Sequence, residues 1–425
     1  MVHSGHFFIQ FLYAMIQIAT SWLLLLPVMF GIGWLASRWD LRLENRMDER
    51  ERMRQQRSTF KGLSLLLNEQ PDQAIETLVK IAQLDPETVE LHFSLGNLFR
   101  RRGETERAIR VHQHLANRDD LKPRDRDHAA YELGRDFLRA GLLDRAEASL
   151  NRVGDGKYAV PAKESLLEMY QVERDWKKAI IAASELESLQ GKSHRTEIAQ
   201  FHCELAQDAL RRKDLSEAEQ SIQRALQAVP NHARALILQG DYLMAMERPA
   251  QAIEVWGVVA DSHPAYMHLL ADRWMTAHAA LGKESEGLDR LCALLKTQAT
   301  GELLDIVHKQ VMKIRGPEAA NAMLSEVMQH SPSLSALSKL AETRIALEEG
   351  NANPERLSEL QSILNLLRQR TTSLARYTCG NCGFRARRFY WQCPGCNNWE
   401  AYSPRRSEGV APSGNWIAMS NPSIE

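Results

Sequence analysis

The chain has 425 residues, too many for one ordinary hydrophobic core, so several units or an array are expected. Its 53 basic and 54 acidic residues leave a net charge of −1. That balance excludes a protein that wraps duplex DNA along its length, because phosphate binding needs a cationic surplus.

At the N-terminus, no Asp, Glu, Lys or Arg occurs from Phe7 to Ala36. Residues 16–36 are long enough to span a hydrocarbon core of about 30 Å, and Trp22, Trp34 and Trp39 lie near the two ends. A cleaved signal peptide would carry a basic leader and a small-x-small cleavage site, and neither is visible. The expectation is an uncleaved transmembrane helix over 16–36 behind an N-terminal extension, 1–15. Arg38, Arg42, Arg46, Arg50, Arg52, Arg54 and Arg57 follow it, whereas residues 1–15 have no Lys or Arg. The positive-inside rule then places the rest of the chain in the cytoplasm. The arginines of 37–57 alternate with acids, as in Asp48/Arg52, which suits a solvated juxtamembrane helix that also feels anionic headgroups.

From 58 to 370 the chain carries a ladder of small residues. Alanines at 74, 108, 146, 179, 218, 252 and 320 are spaced by 34 residues or close to it, the last step being twice 34. Gly62, Gly96, Gly134 and Gly240 lie 12 residues before a ladder alanine, and Pro86, Pro230, Pro264 and Pro332 lie 12 after one. This is the tetratricopeptide pattern: paired helices that approach closely at Gly and Ala, with proline ending the second helix. The expected fold is an all-α tetratricopeptide-repeat superhelix, stable only because its units stack. The ladder lengthens around 117–127, read as a charged loop, and around 190–196, a polar loop. Glu286 stands where an alanine is due, so that copy is read as degenerate or a hinge. A capping helix pair is expected after Pro332, with a loop at 350–354.

The array shows no phosphate-binding loop and no nucleophile with a base. His112 and His114 are two apart on a helix, hence on different faces, and are read as surface residues. Cys203 and Cys292 lie among apolar residues and are read as packing. The array is therefore read as a binding scaffold and not an enzyme.

Residues 375–402 are of a different kind. Cys379 and Cys382, then Cys393 and Cys396, form two Cys-x2-Cys pairs, each beside Gly or Pro. Four thiolates on two tight turns give a closed tetrahedral site of the structural zinc type, and the same geometry admits iron. One zinc ion is expected, with an iron-ribbon electron carrier as the alternative. Metal spacing also points to a reducing compartment. Arg385, Arg387 and Arg388 beside Phe389, Tyr390 and Trp391 fit nucleic acid or a docking face. Docking on the last helices is favoured, and no nucleic acid is expected. The stretch FRARRFYWQ reads as a short hairpin. The tail, 403–425, is rich in Ser, Pro, Gly and Asn and is read as disordered.

The order of anchor, repeats and ribbon resembles the lipopolysaccharide assembly protein B family of Gram-negative bacteria. The resemblance is carried by Leu25-Leu26-Pro27, Gly31 and Gly33-Trp34. Above all it rests on Tyr377, Cys379, Cys382-Gly383-Phe384, Tyr390-Trp391, Cys393-Pro394, Cys396 and Trp399. It covers roughly 22–402. It implies a non-enzymatic adaptor at the inner membrane that presents the committed-step deacetylase of lipid A synthesis to the FtsH protease, with the four cysteines as metal ligands. A membrane-tethered scaffold of another envelope complex has the same architecture, and a homo-oligomer stays open.

Overall fold

The computed structural model describes residues 89–297, 300–349, 354–372 and 377–402. The extension 1–15, the apolar stretch 16–36, the basic stretch 37–57, the first repeat copy (Gly62 to Pro86) and the tail 403–425 lie outside the described residues. Among those described, no helix is long and apolar enough to cross a membrane.

The helices pair in sequence as hairpins, in two compact units, Met1–Ala162 and Lys163–Glu425. The first unit contains α1 (Val89–Arg101) with α2 (Thr105–Ala116) and α3 (Pro123–Arg139) with α4 (Leu143–Leu150). The division falls inside α5 (Ala159–Glu173), which precedes α6 (Trp176–Gln190). The second unit continues with α7 (Arg195–Arg212) and α8 (Leu215–Ala228), then α9 (Ala233–Ala245) and α10 (Pro249–Ser262). A 3-10 turn, Pro264–Leu269, leads to α11 (Ala271–Ala280) and α12 (Glu284–Thr297). The pairs α13 (Gly301–Ile314) with α14 (Pro317–His330), and α15 (Leu334–Glu349) with α16 (Pro354–Thr372), complete it.

The ladder alanines do what their spacing demands. Ala108, Ala146, Ala179, Ala218, Ala252 and Ala320 are each 0% exposed. The glycines opposite them admit a large side chain from the second helix of the hairpin. A Cβ at Gly96 would lie 2.3 Å from the His112 ring, at Gly134 2.6 Å from Leu150, and at Gly240 2.0 Å from Trp256. In each case the filling residue lies 16 positions after the glycine (112 − 96, 150 − 134, 256 − 240). His112 is thus no surface residue. It is fully buried, with Nδ1 2.5 Å from Asp136 Oδ2. Asp136 and Glu132 both bond Arg100 in turn, a buried charged set that no ladder position announced. Burial pushes the Glu132 carboxyl up, but a hydrogen bond from His128 and the Arg100 charge outweigh it and bring it down to about 2.

Two departures in spacing resolve on the turns. Arg174, Lys213 and Glu247, with Gly103, Gly141 and Gly282, hold positive φ between the two helices of a hairpin. Gly103, Gly141, Arg174, Lys213 and Glu247 each precede a ladder alanine by five residues. Counting five from Gly282 reaches Gly287, so Glu286 is not the ladder position, and it stays exposed. The pairing there is inverted: the bulky residues Trp274 and His278 are on the first helix and the glycine is on the second. A Cβ at Gly287 would lie 2.5 Å from His278, and Trp274 Nε1 donates to the Gly287 carbonyl at 3.1 Å. Trp256 Nε1 donates across its own hairpin to Ile237 at the same 3.1 Å. The segment 117–127 is only half loop, because Pro123, with its fixed φ and no N–H to satisfy, opens α3.

Gly240→Ala tests the close approach. Helix propensity favours alanine by about 1 kcal/mol, whereas forcing a methyl into the Trp256 indole costs about 1–3 kcal/mol or more. The urea midpoint is expected to fall, and Trp256→Leu in the same chain to recover part of the loss.

Candidate metal centre

The ribbon's local folding follows from two matching turns. Cys379 and Cys393 each accept, through the carbonyl oxygen, the amide four residues on: Gly383 at 3.0 Å and Asn397 at 2.8 Å. Their own amides donate five residues on, to Phe384 and Asn398, both at 2.9 Å. Each turn needs a left-handed residue, supplied by Gly383 (φ 73°) and by Asn397 (φ 57°), the residue types that tolerate it best. Tyr377–Thr378 (β1) pairs antiparallel with Arg385–Ala386 (β2), so the hairpin encloses the first cysteine pair instead of lying within 384–392. The isolated bridge Cys379–Tyr402 ties the second half to the first, and the bridge Gln392–Trp399 closes around the second cysteine pair.

These turns bring all four sulfurs within 4.8 Å of one another. Cys379–Cys396 and Cys382–Cys393 are both 3.7 Å apart. A tetrahedron with metal–sulfur bonds of ~2.3 Å has edges of ~3.8 Å, so the donor set fits a single tetrahedral ion. Zinc and iron share that geometry. The electrostatics agree. Burial pushes the Cys393 thiol up, but the Tyr402 hydroxyl, 3.6 Å away, and the amides of Gly395 and Cys396 bring it down to about 6. At Cys382 the Phe384 amide favours the thiolate, yet burial and the three neighbouring sulfurs hold the thiol up to about 12. Four negative sulfurs this close are stable together only around a cation. Gly395 leaves room for that packing: a Cβ there would lie 3.3 Å from Cys382 Sγ and 3.2 Å from Phe384.

The remaining cysteines stand apart. Cys203 is fully buried, and burial pushes its thiol up to about 12, as for a packing residue. Cys292 is half-buried, its sulfur 4.0 Å from that of Met323.

The ribbon rests on the first helices of the second unit's hairpins, from α5 to the 3-10 turn, and not on α15 and α16 as the order in the chain suggested. Trp399 packs edge-on against Trp176 and Phe201, with centroids 6.0 and 5.8 Å away. Gln171 Oε1 accepts from Trp399 Nε1 and from Gln392 Nε2, both at 3.1 Å. Glu400 Oε1 accepts from Gln200 Nε2 at 2.7 Å and lies 2.9 Å from His232 Nε2. The bond to His232 holds the Glu400 carboxyl below its usual range, against the effect of burial. Trp391 meets Tyr266 at 5.2 Å and the Arg234 guanidinium at 5.5 Å, while Phe389 meets Tyr266 and His268, both at 5.9 Å.

Inspection of the sequence missed these seat residues, although a signal was present. Gln200, Arg234 and His268 are spaced by 34 and 34, in the period of the ladder, and Arg234 lies six residues before the ladder glycine Gly240.

Comparison with known proteins agrees with both parts of the chain. Residues 377–404 match the model of a rubredoxin metal-binding domain, and residues 61–116 and 203–266 match that of the tetratricopeptide repeat. Lipopolysaccharide assembly protein B of Escherichia coli strain K12 is 34% identical over 386 residues, 90% of this chain and 97% of that protein. The protein of the same name from Haemophilus influenzae is 28% identical over 394 residues, with the same coverage.

Cys393→Ser is expected to reduce bound metal to background in elemental analysis of the purified chain. A ribbon of this size cannot hold its fold without the ion. Tryptophan emission should shift as Trp399 leaves Trp176 and Phe201, with far-UV circular dichroism of the helices nearly unchanged.

Proposed function

The chain belongs to the lipopolysaccharide assembly protein B family, and we propose that it is a non-enzymatic adaptor of the bacterial inner membrane. In this reading it presents the committed-step deacetylase of lipid A synthesis to the FtsH protease and so limits lipopolysaccharide synthesis. The observation that carries the proposal is the match to relatives named for lipopolysaccharide assembly, which runs through repeats and ribbon alike. The fold supports it in kind. Stacked helical hairpins offer a long contact surface, and a closed four-cysteine site is a structural centre with no open position for substrate.

The proposed location rests on sequence: the uncharged apolar stretch 16–36, with arginines following it and none before it. A membrane anchor would hold the repeats in the plane of an anchored protease and raise their effective concentration. The ion is proposed to be zinc. One equivalent of zinc and no visible absorption in the purified chain is the expected result, whereas a coloured iron protein would replace the adaptor reading with electron transfer.

Depletion of the chain in its own host tests the function. Deacetylase abundance is expected to rise several-fold, and its half-life to lengthen to that seen without FtsH. An unchanged half-life would remove the adaptor role.

A further inference from the structure

The ribbon's rings divide into two sets. Phe389, Trp391 and Trp399 meet the seat, whereas Phe384 and Tyr390 stay 42% and 41% exposed. Phe384 is held in place by its backbone, whose carbonyl accepts the Cys379 amide at 2.9 Å in the first cysteine turn. Between these two exposed rings in the chain lie Arg385, Arg387 and Arg388, all exposed as well. Ala386 is buried, so strand alternation puts Arg385 and Arg387 together on the outer side.

These three cations are a local surplus. No hydrogen bond or ion pair joins any of them to the described residues. The one carboxylate within 377–402, Glu400, is taken up by His232 and Gln200 in the seat. Arginines of the helices, by contrast, meet acids of their own, as in Arg234–Glu204, Arg273–Asp241 and Arg315–Asp289. The seat thus uses the later rings of the basic-and-aromatic run 384–391 and leaves its charges and its first ring outside. Charge and ring type together select the partner. An anionic bilayer gains from each arginine near its surface, needs no matched geometry, and takes aromatic rings at headgroup level. An acidic polypeptide would answer the charges and leave the Phe384 ring unused. A chain of net charge −1 offers nucleic acid no wider cationic footprint.

We propose that this outer face of the ribbon rests on the anionic headgroups of a membrane, with Arg385, Arg387 and Arg388 at the phosphates and Phe384 and Tyr390 at the interface. The inference rests on the proposed membrane location and deepens it, by adding to the anchor a second, peripheral contact made by the folded ribbon. Little intrinsic affinity is needed, because an anchor in the same chain supplies the local concentration.

The test places the full chain in lipid nanodiscs, made either of phosphatidylcholine alone or of phosphatidylcholine mixed with phosphatidylglycerol. Hydrogen exchange over 384–390 is expected to be several-fold slower in the anionic discs, and the difference to vanish at about 1 M salt. Each Arg→Gln change should weaken the contact about fivefold. The triple variant Arg385→Gln, Arg387→Gln, Arg388→Gln should therefore lose the difference, with metal content and exchange around Trp399 unchanged. The corresponding triple lysine variant should keep it, because a diffuse surface reads charge and not the guanidinium fork. Equal exchange in the two kinds of disc, or a difference that survives the three glutamines, would overturn the face. Slowing by soluble polyglutamate or an oligonucleotide, with none from anionic lipid, would overturn its assignment to a membrane. A chain that stays in the discs through high salt but shows no effect of lipid charge sinks this face and leaves the anchor standing. A chain that floats with phosphatidylglycerol vesicles only at low salt, and only with its three arginines, does the reverse.

Discussion

The C-terminal half of the structure depends on one junction, where Trp399 is wedged against Trp176 and Phe201 and Glu400 is held by His232 and Gln200. The ribbon has five buried side chains of its own, two of them cysteines, too little to fold on apolar burial alone. Its order comes from the four sulfurs on one side and from the helical row on the other. The row gains in return, since the ribbon's rings cover Tyr266 and Arg234, which would otherwise face water.

This arrangement would give an ion held by the four sulfurs a reach beyond them. Cys396 and Trp399 are three residues apart, and the turn that places Cys396 also places Asn397 and the strand-like bridge to Gln392. Loss of a bound ion would release the turn; the turn carries Trp399 and Glu400, and these contact Gln171, Gln200 and His232 on three successive hairpins. A structural ion held in this position would act on the groove of the repeats and not only on the ribbon.

How much of this was legible beforehand depends on the kind of constraint. Small residues must recur where two helices touch, so the ladder showed the hairpins, and the cysteine spacing marked the four sulfurs that the fold gathers within 4.8 Å. The inverted pair at Trp274 and Gly287 was hidden because the same close contact is met with the bulky residue on the other helix, which a search for one residue type at one phase reads as a defect. His112 was hidden because its partners, Asp136 and Gly96, lie in other helices and histidine carries no fixed preference for surface or core. The seat was hidden for another reason. Gln200, Arg234 and His268 keep the period, but each meets a different part of the ribbon, so the period persists in position and not in chemistry.

The central claim is that metal, ribbon and helical groove form one cooperative body. Hydrogen exchange of the full chain, with the ion bound and after its removal by a chelator, tests this directly. The account predicts faster exchange in α5, α7 and α9 as well as in the ribbon, with α15 and α16 unchanged. Acceleration confined to 377–402, or spreading instead to α15 and α16, would contradict it.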